Sequence, residues 1–189
     1  MPEVPFVEIK RVIDNTTQLH DRLHKLRDQS VYVGVPASTN ARNDGGLINN
    51  ATLLYIHNFG SPAQNIPARP VLTQGIAKVS KQIAEMFKQA AHDAVFEGKD
   101  PTTAYGRIGM LARNAVVEEF DSPSPAFVPL RPATIRARLR KTQAGRRQLR
   151  NLKRRGQSLT DWAEAGNIKP LIDTAQLRRA ITYVVRWGN

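Results

Sequence analysis

Two histidines four residues apart, His20 and His24, and three neighbouring acids, Glu118, Glu119 and Asp121, are the first places where this 189-residue chain could do chemistry. The histidine pair would share one helix face, a spacing that zinc sites use. A tetrahedral site needs further ligands. The chain has no cysteine, and its other two histidines, His57 and His92, fall on other elements. The pair therefore reads as solvated surface histidine. The acids stand at the expected C-terminus of a helix, where the macrodipole disfavours them. Solvated carboxylates, or partners for the cations of a neighbouring subunit, account for them better than a buried catalytic pair. No GxSxG elbow, Walker loop or Rossmann fingerprint occurs, and without cysteine there is neither a thiol nucleophile nor a disulfide framework. With no nucleophile–base constellation in the sequence, the expectation is a protein that is not an enzyme and uses no metal or cofactor.

The strongest chemical signal is electrostatic. Eleven of the 28 Lys and Arg fall between Ser122 and Thr160, a stretch of 39 residues with no Asp or Glu. Elsewhere 17 basic residues stand against 16 acidic ones, so the net charge of +12 belongs almost wholly to one segment. That is a local device and not a generally basic coat. Nine arginines to two lysines favour bidentate contact with phosphates or carboxylates. About six such groups meeting DNA phosphates would lower log K by roughly five units per decade of salt. An acidic protein ring would satisfy the same residues, and a solvated loop would need neither.

These residues need a body to hold them. A chain of 189 residues suits one core, burying about 70% of its unfolded surface. No apolar run approaches the roughly 18–20 residues of a membrane span, and the N-terminus lacks the order of a signal peptide. A soluble protein made in the cytosol is expected. The expected class is α+β: a small, mainly antiparallel sheet packed against long helices, with an extended basic arm. Residues 1–121 and 159–189 would form the single core domain, and 122–158 the Pro-flanked arm.

In chain order, Val4–Lys10 reads as an edge strand, and Asn15 with Gln18 as a capping box for a helix to about Asp28. Thr16, Leu19, Leu23 and Leu26 would form its apolar face. Val31–Val35 is a β-branched strand, central by its apolar content and stopped by Pro36, with Gly34 marking a bulge or a close approach. Ala37–Asn50 has the chemistry of a turn and a mobile loop. Asn49 and Asn50 can cap a two-turn helix with Leu53, Ile56 and Phe59 on its apolar face and Gly60 as its stop. Pro62, Pro67 and Pro70 make Ser61–Pro70 a stiff extended strap. From Val71 onward, Leu72, Ile76, Val79, Ile83, Phe87, Ala90 and Ala94 hold one helical face for more than six turns, the expected backbone of the core, ended by Gly98.

Asp100-Pro101 restarts a second, antiparallel helix carrying Tyr105, Ile108, Ala112, Ala115, Val116 and Phe120. Gly106 and Gly109 inside it predict a close neighbour. Asp121-Ser-Pro-Ser-Pro breaks that helix, after which Ala133–Lys141 can turn helical. Ser158 and Asp161 cap a short helix with Trp162 inward, and Asp173 with Gln176 caps another over Thr174–Arg179. Ile181–Trp187 alternates cleanly and is the natural antiparallel mate of Val31–Val35.

The stretch Ala51–Leu72, with its run YIHNFGSPAQNIPARPVL, resembles a segment typical of the virion-morphogenesis, or tail-completion, family of tailed bacteriophages. There a short helix ending in Phe-Gly leads to an Ile-Pro-x-Arg-Pro strap. Val31–Pro36, Phe127–Thr134 and Pro170–Ile181 are similar to that family's first core strand, its Pro-Leu-x-Pro-x-Thr segment and its C-terminal Leu-x-Asp-Thr-Gly-x-Leu-x-x-Ser-Ile. Departures are Asn58 for a frequent acid, Val71 for Phe, and Ala175 and Ala180 for Gly and Ser. Ala175 speaks against a strained glycine turn and for a simple capped helix.

The resemblance implies a structural virion protein of the neck. It would form a homo-oligomeric ring, commonly of six copies, that completes the tail and joins it to the portal or connector of the head around the channel for genomic DNA. Candidate ring contacts are Tyr32, Asn58, Phe59, Arg69 and the loop Ala37–Asn50. The basic arm, with Arg136, Arg138, Arg140, Lys141, Arg146, Arg147, Arg150, Lys153, Arg154 and Arg155, would grip a neighbouring connector, tail-terminator or tail-tube ring, or touch DNA non-specifically. The implied location is the virion neck, after assembly in the host cytoplasm, with no membrane partner. A tail-terminator ring differs only in its neighbours. A nucleic-acid-binding module acting outside a virion is the alternative from another class.

Overall fold

The computed structural model describes residues 16–43, 47–121, 127–169, 171 and 175–188. Its elements, in chain order, are α1 (Thr16–Arg27), β1 (Gln29–Gly34), α2 (Asn50–Phe59), α3 (Val71–Glu97), α4 (Thr102–Asp121), α5 (Pro132–Arg140), α6 (Gln143–Arg154), α7 (Leu159–Trp162), α8 (Gln176–Ala180) and β2 (Thr182–Trp187). The expected strand Val4–Lys10, the Asn15 cap, the centre of the loop at Asp44–Gly46, the break at 122–126 and the Asp173 cap lie outside the described residues.

The class is α+β, with two antiparallel strands packed against long helices. β1 pairs with β2 in unbroken register, Tyr32 opposite Val184 and Gly34 opposite Thr182. The expected pairing of these strands is therefore found. The bulge expected at Gly34 is not, because the ladder runs straight through it and a Cβ there would meet nothing within 4 Å. Among the described residues β1 has one neighbour, so it is not central within them. The period of two sends Val31, Val33, Tyr183 and Val185 to the helical side, and Tyr32, Val184 and Arg186 to the other.

The centre of the molecule is α4. It lies between α3 and the two strands, so its burial extends to two sides. Tyr105, Ile108, Ala112, Ala115, Val116 and Phe120 are all buried, as its periodicity predicts. A Cβ at Gly109 would run into the Tyr183 ring, which is the close neighbour expected there. α3 is the longer helix but is not the backbone of the core. Only Val71, Gly75, Ala90 and Ala94 are buried on it, while Ile76 and Phe87 remain more than a third exposed, because α3 has α4 on one side only. α1 is likewise peripheral: Leu19 and Leu23 are exposed, and Leu26 alone packs inward, where its carbonyl accepts the Tyr105 hydroxyl at 2.8 Å.

Helix termini follow local chemistry. Asn49 Oδ1 accepts from the Thr52 amide at 2.8 Å and starts α2. Asp100 Oδ1 accepts from the Thr102 amide at 2.8 Å and starts α4. Pro70 cannot cap α3 with a side chain, so Asn58 reaches across from α2 and accepts from the Leu72 amide at 3.3 Å. Ser158 caps α7 as expected, and Trp162 is half-buried. Among the described residues, no helix is long and apolar enough to cross a membrane.

Candidate interface: the strap groove and the basic hairpin

The strap is shorter than its prolines suggest. Pro62–Gln64 coil into a helical turn, Asn65 takes a left-handed φ of 52°, and the amides and carbonyls of Ser61 and Ile66 exchange hydrogen bonds at 2.9 Å. At its far end a tight turn, in which the Val71 amide donates to the Arg69 carbonyl at 2.7 Å, leads into α3. The fixed φ of Pro62 suits the first position of a turn, which is what the extended reading overlooked. Gly60 makes the knuckle possible: its φ is 77°, and a Cβ there would stand 2.8 Å from the Ala68 nitrogen.

Arg69 then crosses to the segment after α4. Its Nε and Nη2 donate to the Val128 carbonyl at 3.1 and 2.8 Å, and Nη2 also reaches Pro129 O at 3.4 Å. With 6% of its surface exposed, Arg69 is an internal clamp. Asn58, also 6% exposed, caps α3 and packs inside the chain. Two of the four residues expected at a ring contact are thus turned inward. The other two face solvent: Phe59 is 63% exposed, its ring 4.8 Å from that of the equally exposed Tyr55, and Tyr32 is 58% exposed beneath the Arg186 guanidinium at 5.9 Å. Phe59 belongs to α2 and Tyr32 to the outer sheet face. The fully buried residues of α2 are Asn50, Leu54 and Asn58; of the expected face, Leu53 packs against the core, Ile56 is half-buried and Phe59 is exposed.

Strap and segment enclose a groove of about 650 Å³ whose lining includes His57, Phe59, Arg69, Val128, Arg131 and Arg138. Burial pushes the His57 imidazole down to about 4, and the Arg69 and Arg138 guanidiniums add to that effect. Its buried Nδ1 has no hydrogen-bond partner among the described residues. Neutral His57 is therefore the state this wall favours at pH 7.

The basic arm is not extended over residues 132–154. Residues 132–140 and 143–154 fold as α5 and α6, a helical hairpin closed by Thr142, whose Oγ1 accepts from the Gly145 amide at 3.0 Å. Gly145 lies against the Leu139 backbone, where a Cβ would collide. Ile135 and Leu152 are 1% and 2% exposed, and Arg138 donates to the Lys169 carbonyl at 2.9 Å. Charge density hid the second helix from sequence reading, although Leu149 and Leu152 mark its inner side. Arg136, Arg140, Lys141, Arg146, Arg147, Arg150, Lys153, Arg154 and Arg155 are exposed.

The acids separate. Glu119 is wholly buried and paired with Lys78 of α3, which corrects its reading as a solvated carboxylate. Position 119 follows Ala112 by seven and Ala115 by four, so the signal for burial was present. Asp121 is held by Arg178, through Nε at 3.2 Å and through Nη2, and by Lys169 at 3.3 Å. The Arg178 hydrogen bond, with help from Lys169, keeps the Asp121 carboxyl below its usual range. His20 and His24 sit on the exposed side of α1 with their Nε2 atoms 3.0 Å apart. Among the described residues, His92, Asp93 and Glu97 bring three ligand atoms within 4.8 Å, but Lys99 occupies both carboxylates at 3.2 and 2.6 Å.

Four segments far apart in the sequence meet in space. Leu54 and Val71, Phe127, and Leu171, Leu177 and Ile181 pack in one buried cluster with Val116, Val117 and Phe120, and Val33 and Val35 close it from the first strand. Ala175 adopts the left-handed φ of 58°, so the turn that glycine favours is present there after all, and α8 begins only at Gln176. Compared with protein-family models, curated proteins and solved structures, the chain matches none of them.

Proposed function

We propose that this chain is a structural subunit of the neck of a tailed bacteriophage, assembling as a ring that completes the tail and joins it to the head connector around the DNA channel. The observation that carries the reading is the meeting of four sequence segments, scattered over residues 31–181, in one hydrophobic cluster. Motifs that resemble a family in order along the chain also form one structural unit, with the Arg69 clamp joining the second to the third. The left-handed backbone at Ala175, where that family carries glycine, supports it further.

The chain would act by shape. Tyr32 and the Tyr55–Phe59 ring pair are exposed aromatics, the side-chain type that anchors interfaces between proteins. Light scattering and particle imaging of the purified chain test the reading, with a closed ring as the expected species. A strict monomer at high concentration would overturn it, as would normal phage particles assembled without the protein. Tyr32→Ser or Phe59→Ser should weaken the ring without unfolding the subunit, whereas Arg69→Ala should act through the fold.

A further inference from the structure

We infer that the α5–α6 hairpin is a docking site for the phosphate backbone of duplex DNA, read without regard to sequence, and that α6 is the helix that tracks it. At 100° per residue, Arg146, Arg147, Arg150, Lys153 and Arg154 fall within an arc of about 120°, while Gly145 and Leu152 are buried on the opposite side. Arg146, Arg150 and Arg154 succeed one another every four residues, about 6 Å of helical rise. A duplex offers one negative charge per roughly 1.7 Å of its axis, so each of these cations finds a phosphate without bending the helix.

Two features choose a polyanion over an acidic protein surface. Among the described residues, no large apolar side chain between 129 and 186 is exposed. A protein partner would have no aromatic or aliphatic anchor to bury on this face. The same absence disfavours single strands, whose affinity draws on stacking against exposed aromatics. None of the five α6 cations has an acidic partner among the described residues. The hairpin is also pre-ordered by its Thr142 cap, its two buried side chains and the Arg138 link to Lys169, so little freedom is lost when phosphates are met.

The test is the salt dependence of binding to a random-sequence duplex of about 20 base pairs, measured by fluorescence anisotropy on the full-length chain. Replacing Arg146, Arg150 and Arg154 together by Gln should lower the slope of log K against log salt by about 2.7, at 0.9 per phosphate contact. A control in which Lys81, Lys88 and Arg107 become Gln removes the same charge from exposed sites elsewhere and should leave the slope unchanged. Equal losses in both variants would overturn the site, reducing it to general basicity. Absence of duplex binding at low salt, or tighter binding of single-stranded DNA or poly-glutamate, would overturn the choice of ligand. Both variants keep the wild-type circular dichroism and melting temperature if the hairpin is intact, and a loss of fold in the first would make α6 a structural element and overturn the site. A monomer could hold phosphates equally well. The mass of the particle in solution therefore reports on the ring, and the salt slope on the hairpin.

Discussion

Arg69 grips Val128 with one edge of its guanidinium, Nη2 at 2.8 Å and Nε at 3.1 Å from a single carbonyl oxygen. The strap before α3 and the chain after α4 are thereby fixed to one another. Arg69→Ala removes the donors from two carbonyls in a half-enclosed groove and should cost about 2–4 kcal/mol in denaturant unfolding. Arg69→Lys keeps the charge but loses the fork and should fall between the two. Protease cleavage at 127–131 should accelerate in the same order. Wild-type stability in Arg69→Ala would show that the proline-rich segments hold their positions unaided.

Gly106 and Gly109 lie three residues apart on α4 and should respond in opposite directions. A Cβ at Gly109 overlaps the Tyr183 ring, whereas one at Gly106 comes no nearer than 3.9 Å to the Tyr183 hydroxyl. Gly106→Ala should therefore stabilise by about 0.5–1 kcal/mol through helix propensity. Gly109→Ala should destabilise by about 1–3 kcal/mol because the strand must move. Thermal melts of the two variants decide this, and equal shifts would mean that the sheet sits less tightly on α4.

What sequence made legible was whatever one period and one neighbour determine. The face of α4, the pairing of β1 with β2, the Asn49 and Asp100 caps and the crowding at Gly109 all follow from local spacing, whereas Gly106 has room around it. What it concealed depends on how many neighbours an element has. α3 shows the longer apolar stripe yet leaves Ile76 and Phe87 exposed because a second layer covers α4 and not α3. α6 was hidden because helical periodicity is sought in apolar residues, and here it is carried by cations around two leucines. Arg69 and Asn58 were expected at a ring contact because a polar side chain, in a strap or on a two-turn helix, carries no mark of its future burial. Their partners, a carbonyl 59 residues away and an amide 14 residues away, belong to tertiary structure.

The Lys78–Glu119 pair predicts an asymmetric double-mutant cycle. Glu119 is fully enclosed while Lys78 is half-exposed. Lys78→Met takes the ammonium from an enclosed carboxylate and should cost about 3–5 kcal/mol. Adding Glu119→Leu should restore most of that loss, since an apolar side chain of similar volume replaces the charge. Denaturant midpoints give all four corners. A double variant no better than Lys78→Met would place the value of Glu119 in its shape and not in its charge.

His57 predicts the pH profile. Its folded value of about 4 lies below the unfolded 6.5, so the unfolded chain takes up the proton first as pH falls. Stability contributed by the neutral imidazole is complete above 6.5 and is lost progressively between about 6.5 and 4, to a limit of about 3 kcal/mol. Arg69 from the strap and Arg138 from α5 both oppose protonation, so neither wall of the groove relieves the loss. Asp121, whose carboxyl is held low by Arg178, adds a further decline only at lower pH. Urea unfolding from pH 7.5 to 4 should show the first decline in the wild type and not in His57→Phe. A flat wild-type profile would place His57 in contact with water.

Ala175 offers the sharpest single substitution. Its φ of 58° puts a β-carbon in the left-handed region immediately before α8, at a cost of about 1–2 kcal/mol that glycine does not incur. The following helix buries Leu177 in the core cluster and also buries Ala180, and Arg178 from the same turn holds Asp121. The turn is therefore fixed from outside and cannot relax to accommodate its residue. Ala175→Gly should raise stability by about 1 kcal/mol, somewhat less than the relieved strain because glycine adds freedom to the unfolded chain. Ala175→Val, β-branched at the same φ, should lower it by more than that. A melting temperature that falls in Ala175→Gly would show that the backbone at this position is right-handed in solution. The capped helix read from Asp173 and Gln176 would then be the true start of α8.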